Sequence, residues 1–399
     1  MFLKQSFRLV FLSLLFFLQI SCSPTAPEQT WQKGNLHTHS FWSDGDDFPE
    51  MIIQWYKENN YQFIALSDHN TLASDIFWYK LKASDKQNKT LEKYQQKFGD
   101  WVESKIDSSG IYVRLKTFEE YKTKLQEPSS FLILPSEEVT SSFEKKPIHI
   151  NVTNIQKKIE PFKGNSVLDI MQQTITAVHA QRERLNIPMF VHINHPNFGY
   201  GINVEDLKKL NGERFFELYN GHPAVHNEGD DTHMSIESMW DLINVSYYKA
   251  GKPLLLGIAT DDSHNYHVQS SKHSNTGRGW VMVNAESLAP SNLIEAMEAG
   301  NFYASSGVLL KKVFASKKKL LIEIDPVLGE TYEIIFMGYR KNSGNTEELK
   351  RVKGTLAEYT FQENDLFVRA KISSTVLKEN PYRVGEFEQA WTQPIPINN

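Results

Sequence analysis

Histidine and carboxylate side chains recur beside short apolar runs in the first part of the chain. His37 and His39 lie one residue apart, and residues i and i+2 of a strand point to the same side. Asp44 follows in a Ser-Asp-Gly turn, and a second apolar run leads directly into Asp68 and His69. Imidazole and carboxylate groups at strand ends are suitable ligands for a divalent metal ion. This grouping predicts a metal site, because a histidine on a solvated strand face would explain only one of these residues.

These residues resemble two motifs of the PHP family, which is named for its polymerase-associated and histidinol-phosphatase members. His37-Thr38-His39 resembles the first motif, and Ser67-Asp68-His69-Asn70 resembles the second. The residues that match the later motifs, in the family's order, are Glu138, His149, His195, Asp262 and His264. The family pattern selects Glu138 as a bridging ligand, although Ser136 stands where the family has glycine. The alternation of strand residues alone leaves Glu137 and Glu138 as equal candidates.

The resemblance implies two or three divalent metal ions, which would be zinc, manganese or iron. The first ion would be held by His37, His39, Glu138 and Asp262. Glu138 would bridge to a second ion on His149 and His195. Asp44, His69 and His264 would hold the third. Such ions would activate a hydroxide to hydrolyse a phosphate ester.

Five other polar residues lie beside these motifs, and the sequence leaves their roles open. His222 and Arg278 are candidates for contacting the phosphate or protonating the leaving group, or are residues of surface loops. Asp68 and Asp261 would either orient imidazoles or stabilise turns. His192 is expected in the core or behind the ligands.

The apolar patterns predict an α/β fold in which strands alternate with helices. The resemblance implies a distorted, TIM-like barrel of seven strands across residues 31–308. A charged, aromatic-rich stretch at about 73–130 is expected to be a mostly helical insertion, either a surface elaboration or a lid over the site. Alternating segments separated by Gly and Asn turns predict a small antiparallel β domain at 309–399, with a structural role.

The chain has 399 residues and a net charge of −5, and no basic block stands out. This balance does not favour nucleic acid as a partner. Aromatic residues make up 12% of the chain, which is typical of a packed globular protein rather than a disordered one.

Residues 1–22 have the pattern of a bacterial lipoprotein signal, and 23–30 would be a linker. Two basic residues precede an apolar run that is too short to span a bilayer and ends beside Cys22, the chain's one cysteine. Lipidation of Cys22 would anchor the protein in the bacterial cell envelope, facing the periplasm or the exterior. Gln19 departs from the usual leucine at that place, and ordinary signal cleavage is the alternative.

The motifs favour an exported phosphoesterase that acts on a small phosphorylated substrate. Another metal-dependent hydrolase on the same scaffold is the second hypothesis, because fold does not fix chemistry. A non-catalytic metal or ligand binder of the envelope is the third. The sequence indicates neither the substrate nor the oligomeric state.

Overall fold

The structure is a computed structural model that describes residues 30–397. The predicted signal peptide, Cys22 and nearly all of the predicted linker lie outside the described residues. Within residues 30–397, no helix has the length and apolar character needed to cross a lipid bilayer.

Helices and strands alternate through the first three quarters of the chain, and strands dominate the rest. The α-helices are α1 Pro49–Glu58, α2 Ala83–Gln87, α3 Thr90–Phe98, α4 Phe118–Leu125, α5 Val167–Leu185, α6 Val204–Lys209, α7 Ile236–Lys249 and α8 Pro290–Glu298. The strands are β1 Gln32–Asn35, β2 Phe63–Leu66, β3 Phe77–Lys80, β4 Ser104–Asp107, β5 Gly110–Leu115, β6 Leu132–Phe143, β7 Lys146–Thr153, β8 Phe190–Ile193, β9 Phe215–Asn220, β10 Leu256–Thr260, β11 Trp280–Val283, β12 Phe302–Ser305, β13 Leu310–Ala315, β14 Lys319–Ile324, β15 Tyr332–Arg340, β16 Thr346–Lys353, β17 Leu356–Thr360, β18 Asp365–Leu377, β19 Phe387–Thr392 and β20 Ile395–Pro396.

Local sequence explains why these elements form and where they end. In α5, the Ser166 hydroxyl accepts a hydrogen bond from the Asp169 amide at the N-terminus, and Asn186 ends the helix in the left-handed conformation. Apolar residues at helical spacing bury one face of this helix. The four residues of β2 are all apolar and buried, as expected for a strand that is covered on both faces.

Fourteen strands form one mixed sheet, with the order β10-β9-β8-β7-β6-β2-β1-β11-β12-β19-β18-β15-β16 and β20 paired to β18. The pairs β1–β2, β2–β6, β8–β9 and β9–β10 are parallel, whereas β7 is antiparallel to both of its neighbours. One parallel bridge, between Thr38 and Ser263, joins the segment after β1 to the segment after β10. The TIM-like barrel is therefore not confirmed, because this single bridge is not a ladder that closes the seven strands.

The insertion contains strands beside its helices, which the expectation of a mostly helical segment did not include. Three short helices accompany a three-stranded antiparallel sheet, β3-β5-β4. Its aromatic residues form a small core together with Phe41 and Phe48 of the loop between β1 and α1, in which Tyr79 stacks on Phe41 and Tyr94 stacks on Phe48. The insertion therefore supports the loop between β1 and α1, which carries Asp44.

The C-terminal strands are antiparallel, but they do not form a separate sheet. β19 pairs with β12 and β18 pairs with β19, so these strands continue the main sheet. Only β13, β14 and β17 form a sheet of their own among the C-terminal strands. The change of sequence texture at Leu309 thus marks a change of topology and not the edge of an independent core.

Candidate metal centre

Side chains from both halves of the α/β region converge from the loops that follow β1, β2, β8 and β10 and from within β6 and β7. They are the nine predicted ligands, His37, His39, Asp44, His69, Glu138, His149, His195, Asp262 and His264. The bridge between Thr38 and Ser263 places the His37–His39 segment directly beside the Asp262–His264 segment. Backbone hydrogen bonds from His39 to Ser263 and from Asp262 to His37 fix the register of the two segments.

Glu138 occupies the middle of this cluster. Its two carboxylate oxygens lie 2.9–3.5 Å from ring nitrogens of five histidines, which are His37, His39, His69, His149 and His195. The Asn194 amide donates a further hydrogen bond of 2.7 Å to Oε1 of Glu138. A carboxylate in this position can bridge two ions.

Glu137 lies on the opposite side of β6. Its Oε1 accepts a hydrogen bond of 2.6 Å from the Ile159 backbone amide, and burial raises the pKa of its carboxyl to about 7. Adjacent strand residues face opposite sides, so only one of these two glutamates reaches the cluster. In the structure that residue is Glu138.

Two groups of ligand candidates lie on either side of Glu138, apart from His149 and His195, which contact its Oε1 directly. Oδ1 of Asp262 lies 3.2 Å from Nε2 of His37 and 3.2 Å from Nε2 of His39. On the other side, Asp44 lies 3.4 Å from Nε2 of His264 and 3.6 Å from Nε2 of His69. Metal–ligand bonds of about 2 Å place neighbouring ligand atoms roughly 3–3.5 Å apart, so these spacings fit metal coordination.

The two groups differ in exposure to solvent. The side chains of His37, His39 and Glu138 are at most 1% exposed. The Asp44 side chain is 56% exposed and that of His69 is 24% exposed. The cluster is therefore open to solvent on the side of Asp44 and His69.

The buried ligand atoms fit a cation. Within residues 30–397, Nε2 of His37, Nε2 of His39 and Oε2 of Glu138 are buried without a hydrogen-bond partner. Leaving a buried polar atom unpaired costs about 1–3 kcal/mol. Nitrogen-rich donors with carboxylates suit zinc, manganese or iron.

The pKa shifts also indicate that a cation fits between these groups. Burial opposes ionisation of Glu138, but His69, His37 and His149 outweigh it and hold the pKa of its carboxyl well below the ordinary value. Burial also opposes protonation of His37, yet Asp262, Glu217 and Glu138 raise the pKa of its imidazole. The space between these groups favours positive charge, which a proton or a metal ion can supply.

The sequence analysis missed Glu217 of β9. Its carboxylate is fully buried, and its Oε1 lies 2.7 Å from Nδ1 of His37. The available signal was a charged residue inside the apolar run Phe215-Phe216-Glu217-Leu218-Tyr219. His192 lies behind the ligands, as expected, with Nε2 3.6 Å from Oε1 of Glu217.

Asp68 and Asp261 stabilise loops, and within the described residues 30–397 neither carboxylate has a hydrogen bond to an imidazole. Asp68 accepts hydrogen bonds from Ser40 and Ser43. Asp261 accepts them from the Tyr56 hydroxyl and from three successive backbone amides of residues 277–279. Of the two roles left open by the sequence, the structure thus shows turn stabilisation.

Arg278 is not available to a substrate, and this candidate role is corrected. Its side chain is buried, and its guanidinium faces the surrounding loops instead of the cluster. The guanidinium donates to oxygens of Gly221, Ser270, His273, Asn275 and Asn380. Asn380 belongs to the loop after β18, so the C-terminal strands contribute to holding the loops around the centre.

His222 does lie beside the cluster. Its ring centroid is 5.5 Å from that of His264, and its Nδ1 accepts a hydrogen bond from the Ala224 amide. Burial lowers the pKa of His222 to about 4, although Asp262 opposes this shift. The imidazole is therefore neutral at pH 7, with Nε2–H as its donor.

No protein-family model and no curated protein matches the chain. Among solved structures, it is similar to a two-domain protein from Bacteroides vulgatus that contains a predicted PHP-like metal-dependent phosphoesterase. The identity is 14%, the match covers 92% of this chain and 97% of that one, and the TM-score is 0.42.

Two further solved structures match a smaller part of the chain. A protein from Bifidobacterium adolescentis, whose assignment as a metal-dependent phosphoesterase is itself a prediction, is 11% identical over 59% of this chain and 89% of that one, with a TM-score of 0.33. An amidohydrolase from Chromobacterium violaceum, with bound sulfate and no metal, is 14% identical over 58% and 87%, with a TM-score of 0.29. TM-scores this low do not assign the chain to a family.

Proposed function

We propose that this protein is a metal-dependent phosphoesterase that hydrolyses a small-molecule phosphate ester. The observation that supports this is the cluster around Glu138, where buried ligand atoms lack partners and one side is open to solvent. A purely structural metal site would be closed on all sides. The exposed position of Asp44 instead leaves room for a substrate.

The proposed cofactors are two or three ions of zinc, manganese or iron. When bound, such ions lower the pKa of a water ligand and neutralise phosphate oxygens. Glu138 and Asp262 supply negative charge between the imidazoles. In this proposal, neutral His222 donates a hydrogen bond from Nε2 to a phosphate oxygen.

Metal analysis combined with hydrolysis of p-nitrophenyl phosphate tests this proposal. We expect the purified protein to contain at least two ions per chain and to hydrolyse the ester. Chelation should abolish hydrolysis, and one of the three metals should restore it. A metal-loaded protein that cleaves neither phosphate monoesters nor diesters would contradict the phosphoesterase assignment, and cleavage of amide or carboxylic esters would favour another hydrolase.

We also propose that Cys22 is lipidated and anchors the protein in a bacterial envelope, with no nucleic acid as partner. The apolar run that ends beside the chain's one cysteine supports this. Cys22→Ala should release the protein from the membrane fraction or leave an unprocessed precursor. Normal processing with unchanged membrane partitioning would exclude the anchor.

A further inference from the structure

Glu217 lies behind the ligand cluster and accepts hydrogen bonds from four different donors. Its Oε1 accepts from Nδ1 of His37 and from the Thr260 hydroxyl, each at 2.7 Å. Its Oε2 accepts from the His195 backbone amide at 2.8 Å and from the Asn220 side-chain amide at 3.0 Å. One carboxylate therefore contacts two predicted ligands, which lie in the segments after β1 and β8.

The Asn220 amide extends this contact to a third predicted ligand. The same Nδ2 group that donates to Glu217 also donates to Oδ2 of Asp262 at 3.1 Å. Glu217 thus connects the imidazole of His37, the backbone at His195 and, through Asn220, the carboxylate of Asp262. These three ligands belong to different segments of the chain.

Only an ionised carboxylate satisfies all four donors. A carboxylate accepts at both oxygens, whereas an amide has one oxygen and one donating nitrogen. The nitrogen of a glutamine here would face either His37 and Thr260 or the His195 and Asn220 amides.

The contact with His37 also determines which ring nitrogen carries the proton. Nδ1–H of His37 donates to Glu217, so in the neutral imidazole Nε2 holds the free lone pair. That Nε2 atom lies 3.2 Å from Asp262 and 3.5 Å from Glu138, and it has no hydrogen-bond partner. A lone pair facing two carboxylates is repulsive unless a cation lies between them.

We propose that Glu217 is a positioning residue of the metal centre. It holds His37 in the Nδ1–H tautomer and aligns His37, His195 and Asp262 for the same ion or pair of ions. This inference rests on the proposed metal centre, and it does not depend on which ester is the substrate. Outer carboxylates of this kind typically contribute 10–100-fold to metal affinity.

The test compares Glu217→Gln with Glu213→Gln in the full chain. Glu213 is a matched control, because it is also a buried glutamate, four residues earlier, and within residues 30–397 its carboxylate forms no hydrogen bond with a predicted ligand. Zinc affinity is measured by competition with a chromogenic chelator, and the visible spectrum of the cobalt-substituted protein reports the coordination. We expect Glu217→Gln to lower zinc affinity about 10–100-fold and to change the cobalt spectrum. Glu213→Gln should change neither.

The outcomes separate this inference from the proposed function. Wild-type zinc affinity and an unchanged cobalt spectrum in folded Glu217→Gln would overturn the positioning role alone. A wild-type protein that binds no metal would overturn the metal centre and the inference together. If Glu217→Gln does not fold, Glu217→Asp decides, because it keeps the charge but withdraws it by one methylene. Reduced zinc affinity in folded Glu217→Asp supports the inference, and wild-type affinity overturns it.

Discussion

Four buried glutamates of the α/β region allow a comparison between the metal centre, which we call the ligand end of the strands, and the rest of the interior. Glu138 and Glu217 lie at the ligand end, and the pKa values of both are lowered. Glu137 and Glu213 are also buried, but burial raises the pKa of each to about 7. The pKa of a glutamate carboxyl is thus lowered at two positions and raised at two others within one molecule.

The difference lies in the neighbours and not in the burial. Burial disfavours the charged form of any carboxyl group, and nearby imidazoles or N–H donors reverse that effect. Glu138 has five imidazoles around it, whereas Glu137 has one backbone amide within hydrogen-bond distance of Oε1. The ligand end is therefore built to keep negative charge in the interior, which is what a cation site requires.

The largest effect is expected at Glu138. Glu138→Gln removes the charge that would bridge two ions, so hydrolysis should fall at least about 1,000-fold and metal content should decrease. Kinetics with p-nitrophenyl phosphate and elemental analysis measure both. Retention of both properties would show that the cluster around Glu138 is not the active site.

A smaller loss is expected at the open side of the cluster. Asp44→Asn weakens only the group with His69 and His264, so one ion should bind less tightly while the buried ions remain. Activity should fall roughly 10–100-fold at limiting metal and recover in part when metal is added in excess. Loss of all the metal in this variant would mean that the buried and open groups do not act separately.

Glu213→Gln should change stability rather than activity. An acid whose pKa rises on folding opposes folding once it ionises, so this cost is small near pH 4.5 and complete above about pH 7. The variant should therefore be more stable than wild type by about 1–3 kcal/mol at pH 8 and nearly equal at pH 4.5. Urea unfolding at both pH values measures this, and a stability difference that does not vary with pH would contradict it.

The smallest effect is expected at Glu137. A glutamine can still accept the hydrogen bond from the Ile159 amide through its oxygen, so Glu137→Gln should keep activity and metal content within roughly threefold of wild type. Assayed beside Glu138→Gln, it isolates the effect of strand face, because the two residues are adjacent. Inactivation by Glu137→Gln with normal activity in Glu138→Gln would reverse the assignment of the two faces.

Residue types and local spacing predicted that His37, His39, Asp44 and His69 come together, whereas the other five ligands were implied by the family resemblance. His37 and His39 share a side because of their spacing, and strand β2 leads directly to His69. The choice of Glu138 over Glu137 came from a family pattern, because alternation along one strand does not reveal which face lies inward.

Other features depend on contacts between distant segments, and the sequence did not reveal them. Glu217 becomes meaningful only when β9 lies beside the segment after β1, 180 residues away. Arg278 looked like a phosphate ligand because its charge is visible in sequence, while the carbonyl groups that surround it are not. The small sheet of the insertion was missed because its short strands are interspersed with helical segments.

The bridge between Thr38 and Ser263 has a consequence for folding order. It joins the beginning and end of the α/β region, and the nearby hydrogen bond from the Tyr266 hydroxyl to the His39 carbonyl spans 227 residues. Closing such a long loop costs entropy that local contacts do not offset. The contact between these two segments is therefore expected to form late in folding and to open early in unfolding. An ion shared by His37, His39 and Asp262 would link the two segments and stabilise their contact. Metal supply would then govern how long the two ends of the region stay joined, independently of any reaction at the centre.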